Sequence, residues 1–133
     1  MSRVFVDTSA MYALLVASDM NHGRAAAAFD RLRGRNQVLA TSSYVLVETY
    51  ALLGRRVGMS AVRSFSDDMA PLLEVVWIDQ DRHDRGLALL VDRADDTLSL
   101  VDTVSFVSMR DERIDEAFAF DHHFEDEGFS IVR

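Results

Sequence analysis

The residues that decide the fold are RVFVDTS, at positions 3–9. Val4, Phe5 and Val6 predict a short strand buried on both faces, because such a strand has no solvent side on which polar residues would alternate. The strand runs directly into a carboxylate, Asp7. An ionised carboxylate removed from water costs several kcal/mol unless a cation or hydrogen-bond donors meet it. The position of Asp7 therefore needs a structural or a functional explanation.

Strand-like and helix-like segments alternate along the rest of the chain. Short apolar runs predict five strands, at 3–6, 37–41, 74–78, 116–120 and 129–132. Helical periodicity predicts six helices, at 9–16, 23–33, 43–56, 60–73, 81–93 and 100–110. This alternation predicts an α/β fold with a mostly parallel sheet covered on both faces. In such sheets ligands bind beyond the carboxyl ends of the strands, and Asp7 is at that end of the first strand.

Length and composition exclude several classes of protein. A chain of 133 residues predicts a single compact domain over 1–133. No apolar run approaches the roughly 20 residues of a membrane helix, and no secretory signal precedes the first strand, so we expect a soluble, cytoplasmic protein. The absence of cysteine excludes disulfides, thiolate nucleophiles and zinc ribbons, and four scattered histidines make a poor zinc site. Any metal should therefore be a hard, oxygen-liking ion.

Charge is unevenly distributed along the chain. The net charge of −8 argues against a polyanionic partner, since nucleic-acid binding depends on basic surface. Residues 1–63, however, hold eight arginines and four acids, whereas residues 64–133 hold six arginines and 18 acids. A basic face on this acidic protein is therefore compatible with the sequence.

Most of the 22 acids lie among other polar residues, as expected of a solvated face. Four interrupt or end apolar segments, namely Asp7 in VFVD, Glu48 in YVLVETYALL, Asp102 in LSLVDTVSF and Asp121 in AFAFD. Glu48 has apolar residues three and four positions away, which places it on or beside the buried stripe of its helix.

Helix capping explains several of these acids when each is taken alone. Asp7 and Asp121 precede helical turns, where aspartate is a favoured N-cap. Ser99 and Asp102 fit a capping box, in which the acid at the third helical position bonds back to the chain. Glu48 differs because it lies inside its helix, where an isolated buried glutamate is costly.

A single metal site explains all four acids together. Two acids at strand ends and two on helices at the same sheet edge would converge and repel one another. A divalent cation relieves that repulsion, and Mg²⁺ or Mn²⁺ is the type of ion that oxygen ligands prefer. Without a thiol or a serine–histidine nucleophile, the expected chemistry is attack of metal-activated water on phosphorus.

Four segments resemble the motifs of the PIN domain family and, within it, of the VapC-type ribonuclease toxins of toxin–antitoxin systems. The segments are VFVDTSAMYALL, SSYVLVETYALL, LSLVDTVSFVSMR and AFAFDHHFEDEGF, and they occur in the family's order along essentially the whole chain. Each motif is weak individually. Four in the right order, in a chain of this size, are a strong signal. The resemblance implies a three-layer α/β/α fold with about five strands.

The resemblance also implies a metal-dependent endoribonuclease. Asp7, Glu48, Asp102 and Asp121 would surround one or two Mg²⁺ or Mn²⁺ ions. Asp7 and Asp102 would be direct ligands, whereas Glu48 and Asp121 would orient water on the metal. Ser9 matches a hydroxyl position of the first motif and would hold a carboxylate or such a water.

The fourth acid varies most in position within the family. Asp121 is therefore the least secure of the four, and Glu125 or Asp126 are its substitutes. The family further implies an RNA substrate, a homodimer and an antitoxin that occupies or distorts the site. A catalytically idle PIN-like module that binds RNA or protein is the alternative function.

Three other features have two interpretations each. His122 and His123 adjoin Asp121, which suggests a general acid or a metal ligand. The favoured interpretation is that adjacent side chains in a surface turn point different ways, with at most one near the site. Arg55 and Arg56, like the arginines of RLRGR at 31–35, either follow an RNA backbone or complement helix carboxyl termini. The stripe AMYALLVASDM at 10–20 is expected to be core, with a share available to a partner.

Overall fold

The computed structural model describes residues 2–132 and contains one five-stranded sheet in the order β3-β2-β1-β4-β5. The strands are β1 (Arg3–Val6), β2 (Val38–Ser42), β3 (Leu73–Val76), β4 (Glu116–Phe118) and β5 (Ser130–Ile131). All four neighbouring pairs are parallel. The predicted α/β class and parallel sheet are confirmed.

Within residues 2–132, seven α-helices connect and cover these strands. They are α1 (Thr8–Leu15), α2 (His22–Gly34), α3 (Ser43–Arg56), α4 (Met59–Ser64), α5 (Gln80–Arg93), α6 (Leu100–Glu112) and α7 (His123–Asp126). Most predicted boundaries lie within one or two residues of these. The short helix α7 was not predicted.

The predicted helix over 60–73 is wrong in its second half. Helix α4 ends at Ser64 and is followed by a π-helical turn, Phe65–Met69, and a 3₁₀ turn, Ala70–Leu72. Pro71 explains the change, because proline has no N–H to donate and its ring clashes with the carbonyl four residues earlier. The wider turn still buries Phe65 and Met69, so the apolar pattern is satisfied by a different backbone.

The strand order fixes where the helices lie. From β1 the chain moves to β2 and then β3 on one side, and it then crosses back to β4 and β5 on the other side. Because parallel crossovers are right-handed, this reversal places the two sets of helices on opposite faces of the sheet. The three-layer arrangement follows. The reversal also makes the gap between β1 and β4 the switch point at which α/β proteins bind ligands.

The core surrounds β1, the central strand. Val4, Phe5 and Val6 are almost completely buried, as the sequence predicted for a strand covered on both faces. Phe124 from α7 contacts both Phe5 and Phe106, with ring centroids 6.3 and 5.2 Å apart. None of the helices within residues 2–132 has the length and apolar composition needed to cross a membrane.

Several arginines form ion pairs with acids of the second half of the chain. Arg3, at the start of β1, contacts Glu74 at 2.9 Å and Glu112 at 3.1 Å. Arg82 contacts Glu112 at 2.6 Å, and Arg85 contacts Asp111 at 2.5 Å. Arg82 and Arg85 lie on α5 and pair with acids at the end of α6, whereas Arg3 joins β1 to both β3 and α6.

Gly86 allows α5 and α6 to approach closely. A Cβ atom at this position would lie 2.4 Å from Cγ2 of Val104 and 3.1 Å from its Cα. The Thr103 hydroxyl also donates a hydrogen bond to the Gly86 carbonyl at 2.8 Å. The absence of a side chain at Gly86 therefore sets the distance between the helices, and α6 carries Asp102.

We expect Gly86→Ala to destabilise the protein by about 1–3 kcal/mol, because the added methyl group overlaps a backbone neighbour as well as a side chain. Gly54→Ala, inside α3, is the matched control, since its Cβ would meet only Val62 Cγ2, at 3.6 Å. That control should gain up to about 1 kcal/mol from helix propensity. Urea unfolding measures both variants, and equal stabilities for them would contradict the close approach.

Candidate active site

Asp7 lies at the switch point, immediately after β1. Its backbone N–H donates to the Phe118 carbonyl at 3.0 Å, which continues the β1–β4 ladder up to the acid. The residue is only 4% exposed. Its Oδ2 atom accepts hydrogen bonds from the backbone N–H and the hydroxyl of Ser9, at 3.2 and 2.7 Å. The Ser9 hydroxyl in turn accepts from the Phe120 N–H at 2.9 Å, so this serine links the ends of the two strands.

Glu48 approaches from the helix that follows the neighbouring strand. Ser42, the last residue of β2, caps α3 by accepting a hydrogen bond from the Val45 N–H at 3.2 Å. Glu48 is half-buried, in agreement with its predicted position beside the apolar stripe. Burial raises the pKa of the Glu48 carboxyl, and the nearby Thr8 hydroxyl opposes that rise.

Asp102 lies in the first turn of α6. The predicted capping box is present, with the Asp102 N–H donating to the Ser99 hydroxyl at 3.1 Å and the Ser99 N–H donating to Asp102 Oδ2 at 3.0 Å. The residue is half-buried. These bonds fix the orientation of the carboxylate as well as the start of the helix.

Asp121 follows β4, three residues after its end. Its Oδ1 atom accepts a hydrogen bond from the His123 N–H at 2.9 Å, at the start of α7. The two predicted substitutes, Glu125 and Asp126, lie on α7 and are exposed, whereas Asp121 is half-buried.

The electrostatics show that the four acids share one region. Burial raises the pKa of Asp7 to about 7, and repulsion from Asp102 and Glu48 adds to the effect against the opposing Ser9 bonds. Burial also raises the pKa of Glu48, with repulsion from Asp102 and Asp121. The pKa of Asp102 is raised by burial and by Asp121. Each of the four carboxylates therefore repels at least two of the others.

Capping and clustering are both present. The two explanations were alternatives in the sequence, but in the structure the caps of α1 and α6 hold Asp7 and Asp102 within the acidic cluster. The bonds from Ser9 fall on Oδ2 of Asp7, and the bond from Ser99 falls on Oδ2 of Asp102. A capping role therefore occupies one oxygen of each carboxylate and leaves the other oxygen available for a cation.

The residues present suit a divalent cation. A buried group of carboxylates with raised pKa values and mutual repulsion is stabilised when a hard cation neutralises it. The donors are oxygens, which Mg²⁺ and Mn²⁺ prefer. The chemistry of this donor set therefore fits the ion that the sequence predicted.

The histidines do not follow the expectation that they point apart. The rings of His122 and His123 lie 4.2 Å apart between centroids. One nitrogen of each ring and one oxygen of Asp121 all lie within 4.8 Å of one another. His123 is buried, and its Nε2 is 3.1 Å from the Thr97 carbonyl oxygen, across the loop before α6. The two rings therefore lie close together rather than apart, although His123 is buried and His122 is exposed.

Arg55 and Arg56 lie on α3, the helix that carries Glu48, and Arg24 lies near Asp121. Arg55 is seven residues after Glu48 on α3 and so lies on nearly the same face, about 10 Å along the axis. Arg56 stacks over the Tyr12 ring at 5.8 Å, and both arginines are exposed. Arg24 was missed in the sequence, yet it lines a pocket with Asp121 and packs over the Phe120 ring at 5.3 Å. No local pattern marks Arg24, because its neighbours in α2 are mostly alanines.

The RLRGR arginines and the AMYALLVASDM stripe are also placed by the structure. Arg35 is 3.8 Å from Glu116, the first residue of β4. It therefore lies at the amino-terminal end of the parallel strands, whereas Asp7 lies at their carboxyl-terminal end. Ala10, Met11 and Ala13 are buried, as predicted for core. Met20 is 91% exposed and remains available to a partner.

The raised pKa of Asp7 predicts a pH-dependent stability. The pKa is about 7 in the folded chain and about 3.9 for an unfolded aspartate. Between about pH 4 and pH 7 the folded state therefore binds more protons, so the free energy of unfolding falls as pH rises. Asp7→Asn removes the free-energy cost of ionising a buried carboxylate and keeps a side chain that can cap the helix. In EDTA, we expect the variant to be more stable than wild type at about pH 8, with the gain lost below about pH 4.

Thermal unfolding at the two pH values measures this difference. Asp30→Asn, an exposed change of the same charge on α2, is the control and should alter stability little at either pH. A loss of stability in Asp7→Asn that is equal at both pH values would contradict a strained Asp7 carboxylate.

Comparisons with known proteins agree with this geometry. A family model for the PIN domain matches residues 4–129. The 23S rRNA-specific endonuclease VapC20 of Mycobacterium tuberculosis is 36% identical over 131 residues, which are 98% of this chain and 98% of the relative.

Solved structures match in the same way. The crystal structure of M. tuberculosis VapC20, a sarcin–ricin loop cleaving toxin, matches with a TM-score of 0.83 at 35% identity and covers 95% of each chain. A toxin–antitoxin complex from Klebsiella pneumoniae has a TM-score of 0.65 at 17% identity over 98% of this chain and 96% of that chain, which supports the fold alone. Because the family model spans most of the sequence and VapC20 aligns along nearly its whole length, the chain belongs to the PIN domain family.

Proposed function

We propose that this protein is a metal-dependent endoribonuclease that hydrolyses RNA phosphodiester bonds and is the toxin of a toxin–antitoxin pair. The observation that carries the proposal is the group of four mutually repelling acids at the β1–β4 switch point, with raised pKa values at Asp7, Glu48 and Asp102. Groups of this kind occur where catalysis requires them, since burial of several carboxylates lowers stability. The relationship to an endonuclease at 36% identity supports the same chemistry.

The four acids have two roles in this proposal. Asp7 and Asp102 are the direct ligands of Mg²⁺ or Mn²⁺, because caps orient both of them. When bound, the ion supplies a Lewis acid that lowers the pKa of a coordinated water and neutralises phosphate charge. Glu48 and Asp121 would orient that water, and burial raises the pKa of Glu48, which is the direction that strengthens a proton acceptor. Ser9 holds Asp7 in place through its two hydrogen bonds.

We propose that RNA approaches the acids along three exposed arginines, which we call the basic border: Arg24, Arg55 and Arg56. Arg24, Arg55 and Arg56 are exposed, and the structure gives them no ion pair with an acid among residues 2–132. Guanidinium groups bind phosphates in pairs of hydrogen bonds, so these side chains would hold the backbone on either side of the scissile bond. Arginines near an acidic cluster also offset its repulsion of a polyanion.

Ribosomal RNA is the proposed substrate class. VapC20 is named for 23S rRNA and for cleavage of the sarcin–ricin loop, and the identity between the two chains extends along their whole length. A hairpin oligonucleotide of that loop is therefore the first substrate to test. We also propose that the whole chain, 1–133, acts in the cytoplasm as one domain.

The proposed partners are an antitoxin and a second copy of the chain. An antitoxin is supported by the similarity to VapC20, which is named as a toxin, and it would occupy or distort the acidic site. Exposed apolar side chains offer surface for both contacts, notably Val47, Trp77 and Val91, at 68%, 75% and 71% exposure. A gene for a small DNA-binding protein next to this one would support the antitoxin.

We expect Asp7→Asn and Asp102→Asn each to lower Mn²⁺-dependent cleavage of the hairpin at least about 100-fold, as expected when a group acting on the transition state is removed. Asparagine keeps the shape and the capping ability of each residue, so the fold should persist. Asp30→Asn, on the exposed face of α2, is the matched control and should cleave like wild type. Normal cleavage by both site variants would show that Asp7 and Asp102 only cap helices. A wild-type protein that binds RNA without cleaving it would support the alternative of a catalytically idle binding module.

The basic border is tested by RNA binding in the Asp7→Asn background, where cleavage does not interfere. Adding Arg55→Ala and Arg56→Ala should weaken binding and reduce the slope of log affinity against log salt by about 1.4, or about 0.7 for each lost contact to a single strand. Arg35→Ala, at the amino-terminal end of the strands, is the control and should leave the slope unchanged. An identical slope in the double variant would exclude phosphate contacts by Arg55 and Arg56.

A further inference from the structure

We propose that Asp121, His122 and His123 form a binding site for a transition-metal ion of the Zn²⁺ type, at the border of the acidic cluster. We call these three residues the DHH site. One carboxylate oxygen and one nitrogen from each ring lie within 4.8 Å of one another. The ring centroids of the two histidines are 4.2 Å apart. The three side chains therefore converge on one point, unlike an ordinary pair of adjacent surface histidines.

His122 has a hydrogen-bond acceptor on the ring nitrogen that would not bind the metal, as metal-binding histidines usually have. His122 Nδ1 lies 2.8 Å from Asp126 Oδ2, and His123 Nε2 lies 3.1 Å from the Thr97 carbonyl oxygen. Carbonyl and carboxylate oxygens only accept, so these two nitrogens carry the protons in the neutral rings. His122 Nε2 therefore keeps a lone pair that a metal can use. His123 Nε2 is the nitrogen that faces Asp121, 3.6 Å from its Oδ1, so a metal bound there would replace the proton shared with Thr97, and His123 would carry its proton on Nδ1.

The donor set selects the class of ion. Two imidazole nitrogens and one carboxylate favour Zn²⁺, Co²⁺ or Ni²⁺, whereas Mg²⁺ prefers oxygens alone. Bond lengths of about 2 Å place the ligands of a zinc ion roughly 3–4 Å apart, so the DHH site must contract slightly on binding. The His122 side chain is 72% exposed and can make that movement, while the buried His123 ring moves little.

Sharing of Asp121 links this site to the proposed nuclease centre. A zinc ion at the DHH site would withdraw the Asp121 carboxylate, so it should inhibit Mn²⁺-dependent cleavage. This consequence rests on the proposed function. Binding of the ion does not, because Asp7, Glu48 and Asp102 are not ligands in the DHH site. The sequence also suggests a metal-ligand role for His122 and His123, although side chains that point apart in a surface turn are its favoured interpretation.

The test uses the full chain freed of metal with EDTA and then titrated with Co²⁺, whose visible absorption reports nitrogen ligands. We expect binding in the micromolar range, displacement by Zn²⁺, and little competition from Mg²⁺. His122→Ala, an exposed change that should not affect folding, should weaken Co²⁺ binding at least about tenfold. Asp126→Asn, which alters only the acceptor on His122, should weaken it by about tenfold as well.

Two control variants separate this site from other possibilities. His83→Gln lies outside the DHH site and should bind Co²⁺ like wild type. Asp7→Asn should also keep the absorption, even though it abolishes cleavage under the proposed function. Unchanged Co²⁺ affinity in His122→Ala, or loss of the absorption in Asp7→Asn, would overturn the DHH site. An inactive wild-type nuclease with intact Co²⁺ binding would instead overturn the proposed function alone.

Discussion

Burial of the Asp7 carboxylate between β1 and β4 is the constraint on which the rest of this structure depends. The strand that delivers it, Val4-Phe5-Val6, is the centre of the core, so the acid cannot move to solvent without disrupting the sheet. The reversal of strand order at β1 opens the crevice that Asp7 faces, and Glu48, Asp102 and Asp121 enter from elements packed around it. Fold and site are therefore consequences of one topology.

The hydrogen bonds that cap helices also hold this site in shape. Ser9 bonds to Asp7 and accepts from Phe120, so one hydroxyl fixes an acid at the end of β1 relative to the segment that carries Asp121. Ser99 orients Asp102 through the capping box. Natural proteins place groups that lower stability at functional sites and compensate elsewhere, and here a well-packed core provides that compensation.

Much of this arrangement could be predicted from the sequence, because it depends on local patterns. The apolar run before Asp7 predicted a buried strand. The alternation of strand-like runs with helical periodicity predicted the parallel α/β class. The four acids were found by their apolar surroundings, and the Ser99–Asp102 box by its spacing.

The errors have non-local causes. The helix over 60–73 changes form because Pro71 and the burial of Phe65 favour a wider turn. The paired histidines depend on α7, whose position is set by contacts of Phe124 with distant rings. Arg24 is brought beside Asp121 only by the packing of α2, which no local motif indicates.

The central claim is that the four acids form a binding site for a divalent cation, and calorimetric titration of the wild-type chain with Mn²⁺ tests it most directly. Because the pKa of Asp7 is about 7, an ion bound by ionised carboxylates must displace protons near neutral pH. The account predicts saturable binding below millimolar Mn²⁺, weaker as pH falls, with a heat that depends on the ionisation enthalpy of the buffer. Absence of saturable binding at millimolar Mn²⁺, or binding without proton release at about pH 6.5, would contradict it.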